Sequence, residues 1–209
     1  FVLICLGVYC QSDFCGSVES SGVFSAFEEK VYPQGLLYPK DRRNKSGLFT
    51  IPVVVHIVHQ NGLENISDNR VEGVLGAMNE VLSNDGSYAI DGNIDTDIEL
   101  CLARRTPGHQ PTNGITRTIS SWTILDMQRE DAQLKSLVQW DSRDYLNIWI
   151  VSEITGSNVN PAGFATFPNA HGFGSDGIVI ESRYFTTDRD DLVVFAHELG
   201  HYLGLYHTF

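Results

Sequence analysis

The chain has 209 residues, a formal net charge of −12, and a composition in which 42% of residues are apolar and 19% are charged. This length suits one domain with a short leader, and the apolar content argues against intrinsic disorder. The acidic balance argues against nucleic acid or an anionic membrane as a partner, because like charges repel. No apolar stretch is long enough to span a bilayer as a helix.

The first ten residues are mostly apolar and are not preceded by a methionine or a basic segment. We interpret residues 1–10 as the remnant of a secretory signal peptide cut after Cys10, so the expected location is extracellular. A lipoprotein anchor at Cys10 and a buried N-terminal strand are the alternatives. After such a cut only Cys15 and Cys101 remain, too few for a disulfide scaffold. Cys101 lies within a strand pattern and is predicted to be a small buried side chain.

Residues 11–49 have weak apolar periodicity and frequent turn residues, which indicates a propeptide-like leader. Its basic cluster, Lys40–Lys45, is interpreted as an exposed hinge where activating cleavage occurs, or as a solvated loop. Loops rich in Asp and Asn would offer oxygen ligands to Ca²⁺, although no ordered calcium-loop motif is present.

The first predicted strand is the β-branched run Ile51–His59, whose near-continuous apolarity predicts burial on both faces under covering helices. His56 and His59 are three residues apart on this strand, so they face opposite sides and are predicted to be structural. A helix is predicted over residues 66–84, with Ser67 as its N-cap. Its apolar residues fall on one face, namely Val71, Val74, Leu75, Met78, Val81 and Leu82.

Further strands are predicted over residues 97–103, 145–151 and 177–181. Between the first two, residues 104–117 are predicted to be a loop, and residues 124–139 a weak helix or an irregular insertion. A closing helix begins at one of three aspartates, as the helix dipole favours: Asp188, Asp190 or Asp191. Its apolar side is predicted to pack on the sheet through Leu192, Phe195, Ala196, Leu199 and Leu203. Two histidines without metal-ligand spacing are predicted to lie in loops, His109 and His171.

The closing helix carries the pattern H-E-x-x-H-x-x-G-x-x-H, which runs from His197 to His207. His197 and His201 are one helical turn apart, so both imidazoles can reach one metal ion. His207 would lie on another face of a continued helix, so it can join them only if the helix stops. Gly204 supplies that stop, because glycine adopts the left-handed conformation at a helix end without strain.

Three neutral histidines leave one position of a tetrahedral zinc ion open, which is typical of a catalytic rather than a structural site. Zinc in such a site lowers the pKa of a bound water to about 7. Glu198 lies beside the histidines and is predicted to act as general base and then general acid. The motif therefore predicts zinc-dependent hydrolysis.

The eleven-residue pattern resembles that of the metzincin metallopeptidases, and its flanking sequence Gly-His-Tyr-Leu-Gly-Leu-Tyr-His-Thr-Phe resembles the pappalysin branch. The sequences Ile-Pro-Val-Val-Val-His at 51–56, Gly-Ile-Thr-Arg at 114–117 and the stretch 140–151 are similar to upstream elements of that family. The resemblance covers residues 50–209. It implies an α/β (α+β) catalytic subdomain of metzincin type, in which a twisted mixed sheet lies between a backing helix and the zinc-site helix.

The resemblance also assigns a role to the segment just before the last predicted strand. It implies that an upper edge strand of the cleft pairs with extended substrate through main-chain hydrogen bonds. Small side chains in this segment would permit close approach of the substrate backbone. A plain surface loop is the alternative. The residues of this edge strand are Gly163, Phe164, Ala165, Thr166 and Phe167.

In the leader, Cys15 lies in Cys-Gly-Ser, which resembles the Cys-Gly-Thr element of pappalysin zymogens. The resemblance implies that the Cys15 thiolate holds the fourth zinc position until the leader is removed. An incidental or disulfide-bonded cysteine is the alternative.

Metzincins also carry a methionine-containing turn downstream of the third histidine, whereas Met78 and Met127 both lie upstream of His207. We therefore expect the sequence to be a fragment that lacks the C-terminal subdomain. The expected function is that of a secreted zinc metalloendopeptidase acting on protein or peptide substrates. A non-catalytic zinc-binding or adhesive module and a zinc hydrolase acting on other substrates are the alternatives.

Overall fold

The computed structural model describes residues 47–156 and 160–207, so the predictions for the signal remnant, the Cys15 switch and the Lys40–Lys45 hinge lie outside the described residues. Within those ranges the strands are β1 (Phe49–His59), β2 (Ile98–Leu102), β3 (Ile115–Ile119), β4 (Ile124–Asp126), β5 (Leu146–Val151), β6 (Glu153–Thr155), β7 (Gly163–Ala165) and β8 (Ile178–Glu181). The α-helices there are α1 (Asp68–Ser83), α2 (Asp131–Leu137) and α3 (Arg189–Tyr202). No helix in these ranges is long and apolar enough to cross a membrane.

The main sheet has the strand order β2-β1-β5-β8-β7, and β3 also pairs with β1. On one side of β1, β2 pairs along its first half and β3 along its second half, both in parallel. On the other side β5 is parallel to β1, and β8 is parallel to β5. β7 runs antiparallel to β8, so the last strand of the sheet reverses direction next to the site described below.

β1 confirms the predicted strand, beginning two residues earlier than the apolar run, and every residue from Val53 to His59 is buried. Val53, Val55 and Ile57 belong to the cluster that includes the apolar face of α1. Val58 packs on the opposite face in a second cluster with residues of β4, α2 and β6. The expectation of covering helices is therefore right for one face, while the other is covered by a mixture of short strands, loops and α2.

The backing helix α1 also matches its prediction. The Ser67 side chain accepts a hydrogen bond from Arg70 N and caps the helix start, while Asn84 ends the helix in the left-handed conformation with φ 55°. Five of the six predicted apolar positions are buried and Val81 is partly buried against the same core. Because the apolar stripe repeats at helical spacing, α1 lies flat against the sheet.

Several sequence predictions are wrong in part. Residues 104–117 are not loop throughout, because Ile115–Ile119 pairs with β1 as β3. Residues 124–139 contain the short strand β4 and the seven-residue helix α2. Cys101 is exposed rather than buried, because the alternation that turns Leu100 inward turns Cys101 to the outer face. Leu203 is 38% exposed, since it lies beyond the last turn of α3.

His56 is a fully buried histidine with a structural role. Its Nε2 donates to Asn147 Oδ1 at 3.0 Å, and its Nδ1 lies 2.7 Å from Thr116 Oγ1. The Asn147 oxygen also accepts from Trp140 N, so it is an acceptor that fixes the His56 proton on Nε2. Burial lowers the pKa of His56 to about 4, and the hydrogen bond to Asn147 opposes that shift.

This burial predicts a loss of stability in weak acid. The unfolded chain binds a proton at His56 near pH 6.5 and the folded chain only near pH 4. The free energy of unfolding should therefore fall by about 3 kcal/mol between those pH values on account of His56. In His56→Gln the difference in unfolding free energy from wild type should shrink by that amount as the pH falls from 7 to 4. A difference that stays constant with pH would contradict the assignment.

Candidate metal centre

The site is built on α3, whose start is set by Asp188. The Asp188 side chain accepts a hydrogen bond from Asp190 N at 3.0 Å, so one of the three predicted aspartates caps the helix. Two further acidic residues in the first turn, Asp190 and Asp191, suit the positive end of the helix dipole. Leu192, Phe195 and Leu199 are buried in the main core and anchor the helix on the sheet.

The helix ends at Tyr202, and the chain then reverses. Gly204 has φ 95°, the left-handed region that glycine adopts without strain. Gly204 N donates to His201 O at 2.9 Å and Leu205 N donates to Gly200 O at 2.8 Å, the paired bonds of a Schellman cap. The reversal brings His207 back towards the helix.

Three imidazoles converge at this end of α3. The Nε2 atoms are 2.9 Å apart for His197 and His201, 3.2 Å for His197 and His207, and 3.1 Å for His201 and His207. Around a tetrahedral zinc with Zn–N bonds of about 2.1 Å, ligand nitrogens would lie about 3.4 Å apart. Within the described ranges, these three form the one group of three or more His, Cys, Asp or Glu side chains close enough to share a metal ion.

The protonation of these rings also suits a metal ion. His201 Nδ1 lies 2.7 Å from Leu205 O, and because a carbonyl only accepts, Nδ1 carries the proton. The neutral ring then presents the Nε2 lone pair to the centre of the cluster. Burial, followed by repulsion from His201 and His207, lowers the pKa of His197 to about 4, so His197 is neutral at pH 7. Neutral imidazole nitrogens are donors that zinc accepts.

Glu198 follows the first histidine, and its side chain is only 1% exposed. A Cβ added at Gly163 would come within 3.1 Å of Glu198 Cγ and 3.0 Å of Val179 O. The edge strand β7 therefore packs directly on α3 at Glu198, and glycine at position 163 makes this approach possible. The sequence suggested a small residue for substrate approach, whereas the structure gives it a contact with the candidate base.

The proposed edge strand is shorter than predicted, since β7 contains only Gly163, Phe164 and Ala165. Thr166 continues the pairing for one further bond, from its N to Gly177 O at 3.1 Å. Phe164 faces the interior and is buried in the second cluster. Phe167 lies outside β7 and contacts His201 and Tyr206 instead, which its place in the sequence did not indicate.

Two further histidines, His109 and His171, and the aromatic residue Tyr206 lie outside the group of three converging imidazoles. His109 lies in an exposed loop, as predicted, and His171 follows a short 3₁₀ helix, where its ring packs against Tyr202 at 4.3 Å. Tyr206 stacks on Phe167 and was missed because aromatic residues beside a metal motif have no distinctive spacing. Its position directly before the third histidine is the signal that sequence reading could have used.

Known proteins resemble this chain in sequence and in fold. The sequence model of the family described as "Pregnancy-associated plasma protein-A", a peptidase family, matches residues 129–209. An extracellular metalloprotease of Arthroderma otae is 25% identical over 203 residues, covering 93% of this chain and 64% of that protein. One of Arthroderma benhamiae is 24% identical over 168 residues, covering 77% and 52%. The chain thus spans between half and two thirds of these curated relatives.

Solved structures of two forms of one protease resemble this chain in fold. A mutant of promirolysin from Tannerella forsythia superposes with a TM-score of 0.70 at 27% identity, covering 93% of this chain and 69% of that one. Mature mirolysin of the same organism, in complex with a cleaved peptide, gives 0.65 at 32% identity, covering 78% and 65%. The mixed sheet and helices are thus those of the mirolysin fold. The family match over residues 129–209, the extracellular metalloproteases and mirolysin together confirm the resemblance of this chain to the metzincin metallopeptidases of the pappalysin type.

Proposed function

We propose that this chain supplies the zinc-binding part of the active site of a secreted zinc metalloendopeptidase. The observation that carries the proposal is the convergence of the His197, His201 and His207 Nε2 atoms within 2.9–3.2 Å of one another. The names of the matched extracellular metalloproteases support secretion, and the cleaved peptide in a mirolysin complex supports peptide substrates.

The three histidines would hold zinc through Nε2 and leave one coordination position for the reactants. A zinc ion held there would polarise the scissile carbonyl and acidify the attacking water. The chain itself fixes the His201 ring through Leu205 O and keeps His197 neutral by burying it. Both effects keep nitrogen lone pairs, rather than protons, directed at the centre of the cluster.

Glu198 would take the proton of the attacking water and later deliver it to the leaving amine. Its burial excludes bulk water, which strengthens the electrostatic interactions that guide such a transfer. The adjacent strand β7 ends the main sheet, and we assign it to the binding of extended substrate by main-chain hydrogen bonds. Because Gly163 of β7 abuts Glu198, a peptide on that strand would pass close to the base.

Latency through a Cys15 thiolate stays part of the proposal and rests on the Cys-Gly-Ser sequence alone. Calcium has no support among the described residues, where the one candidate metal group consists of histidines.

Removing zinc from the complete protein with a chelator is expected to abolish casein hydrolysis, and adding zinc is expected to restore it. His201→Ala should weaken zinc binding by more than the roughly 10- to 100-fold that losing a supporting contact costs. His109→Ala, at an exposed loop histidine, is the matched control and should retain both zinc and activity. Casein hydrolysis that is insensitive to the chelator would contradict the proposal.

A further inference from the structure

Phe167 has a position that the substrate-strand assignment does not explain. Its side chain is buried, with 9% exposure, although it lies beyond the end of β7. Its ring centroid lies 4.6 Å from that of Tyr206, with the rings stacked at 11°. The Phe167 ring centroid also lies 5.1 Å from that of the His201 imidazole, with the rings tilted at 55°. Phe167 therefore contacts both the zinc-site helix and the segment that follows it.

The next residue, Pro168, contacts the same segment at a second point. A Cβ added at Gly204 would lie 3.3 Å from Pro168 Cγ, so the proline ring rests against the turn that ends α3. Phe167 and Pro168 thus hold the turn at Gly204 and at Tyr206, on either side of Leu205. Leu205 is the residue whose carbonyl oxygen orients His201.

This support matters most for His207. His197 and His201 are fixed by the hydrogen bonds of α3, whereas His207 lies five residues beyond the last helical residue. A ligand outside regular structure must be ordered by other contacts, because each backbone residue that is fixed loses conformational entropy. Tyr206 precedes His207 directly, and stacked aromatic pairs contribute attraction beyond their buried area.

We propose that Phe167 is a positioning residue of the metal centre, which holds His207 at the zinc position by stacking on Tyr206. The proposal rests on the proposed function in so far as His207 is taken as a zinc ligand. Phe167 also connects β7 with the segment that carries His207, since it lies two residues after the last residue of β7. The strand assigned to substrate and the third ligand are thereby joined through one aromatic pair.

The test compares Phe167→Leu with Phe173→Leu in the complete protein. Both changes remove an aromatic ring and keep an apolar side chain, but Phe173 is 67% exposed in the following loop. Phe167→Leu is expected to weaken zinc binding about 10- to 100-fold, the usual cost of losing a contact that orients a ligand. Phe173→Leu should not change it. Zinc affinity is measured by competition with a chromophoric chelator, and circular dichroism of each variant checks that it is folded.

A double-mutant cycle shows whether Phe167 acts through His207. In a His207→Ala background the further change Phe167→Leu should leave zinc affinity unchanged, because the ligand that it supports is already gone. The absorption spectrum of the Co²⁺-substituted protein should change in Phe167→Leu towards that of His207→Ala.

Two results would overturn the proposal. One is an unchanged zinc affinity in Phe167→Leu, and the other is an equal loss in both backgrounds, which would mean that Phe167 acts through His201 or through the fold. The zinc titration does not depend on hydrolysis. A protein that binds zinc and cleaves no peptide would therefore refute the proposed function and leave this test in force.

Discussion

Replacing Glu198 by glutamine is expected to abolish peptide hydrolysis while leaving zinc bound. Glutamine keeps the size of the side chain in its buried position, so the packing against β7 is retained. It cannot accept a proton, and the loss of a general base typically lowers the rate about 10²- to 10⁴-fold. The three histidines are unchanged, so zinc content and zinc affinity should match the wild type. The measurements are kcat/KM on a peptide substrate and bound zinc by elemental analysis.

The matched control is Glu72→Gln, the same chemical change at an exposed position of α1. It should alter neither hydrolysis nor zinc content. Activity of Glu198→Gln within about tenfold of wild type would rule out Glu198 as the base, since general-base catalysis contributes more than this. A complete wild-type protein that binds zinc and cleaves no peptide would instead favour the non-catalytic zinc-binding module.

The burial of Glu198 bears on this choice. Moving a carboxyl group out of water costs free energy unless other interactions offset it. A site that only binds zinc through three histidines does not require such a group next to them. A buried acid beside a candidate metal centre is, by contrast, what a hydrolytic site requires for proton transfer. The 1% exposure of Glu198 thus adds to the sequence motif an observation that favours catalysis.

The parts of the fold that sequence could predict are those encoded by local spacing. The strand β1 and the helix α1 can be predicted from sequence, because their periodicities of two and 3.6 residues are visible within one element. The sequence could also predict that His207 returns to the histidines of α3, because the left-handed preference of Gly204 is a local property. In these cases the local preference and the tertiary structure agree.

The parts that sequence could not predict depend on partners far away in the chain. β3 has only Ile115 buried, so its short alternation is weak, and its strand state depends on pairing with β1 about sixty residues earlier. Cys101 was predicted to be buried because cysteine usually is, but its side chain lies on the exposed outer face of β2. Phe167 acquires its place through ring contacts with His201 and Tyr206, which lie more than thirty residues later in the chain. Such contacts follow from topology and leave no periodic signal.

Lys135 is another residue whose burial depends on distant partners, and its replacement is expected to have a large effect on stability. Its side chain is 1% exposed, although lysine on a short helix normally reaches solvent. The ammonium donates to Asp131 Oδ2 at 3.0 Å and to Ser175 O at 2.7 Å. It also lies over the rings of Trp149 and Phe164, at 5.4 and 5.3 Å. Burial lowers the pKa of Lys135, and the Asp131 carboxylate opposes that shift. The charge therefore joins α2 to the edge strand that contains Phe164.

Lys135→Met is expected to lower the free energy of unfolding by about 3 kcal/mol, the cost of breaking a buried ion pair by removing one partner. Methionine retains most of the apolar stem, so the loss reflects the Asp131 carboxylate and the Ser175 carbonyl left without their donor. In the double variant Asp131→Asn with Lys135→Met the loss should be smaller, because no uncompensated charge remains. Urea unfolding of the complete protein, followed by tryptophan fluorescence, measures both.

Arg129→Met provides the control, since Arg129 forms an ion pair with Asp126 at 3.7 Å just before the same helix but is 82% exposed. Water screens that pair, so its loss should cost about 1 kcal/mol or less. Equal effects at Arg129 and Lys135 would mean that the buried ammonium contributes no more than a surface charge. A larger loss at Lys135, partly recovered by Asp131→Asn, would show that the buried ion pair between Lys135 and Asp131 stabilises the fold far more than a surface pair does.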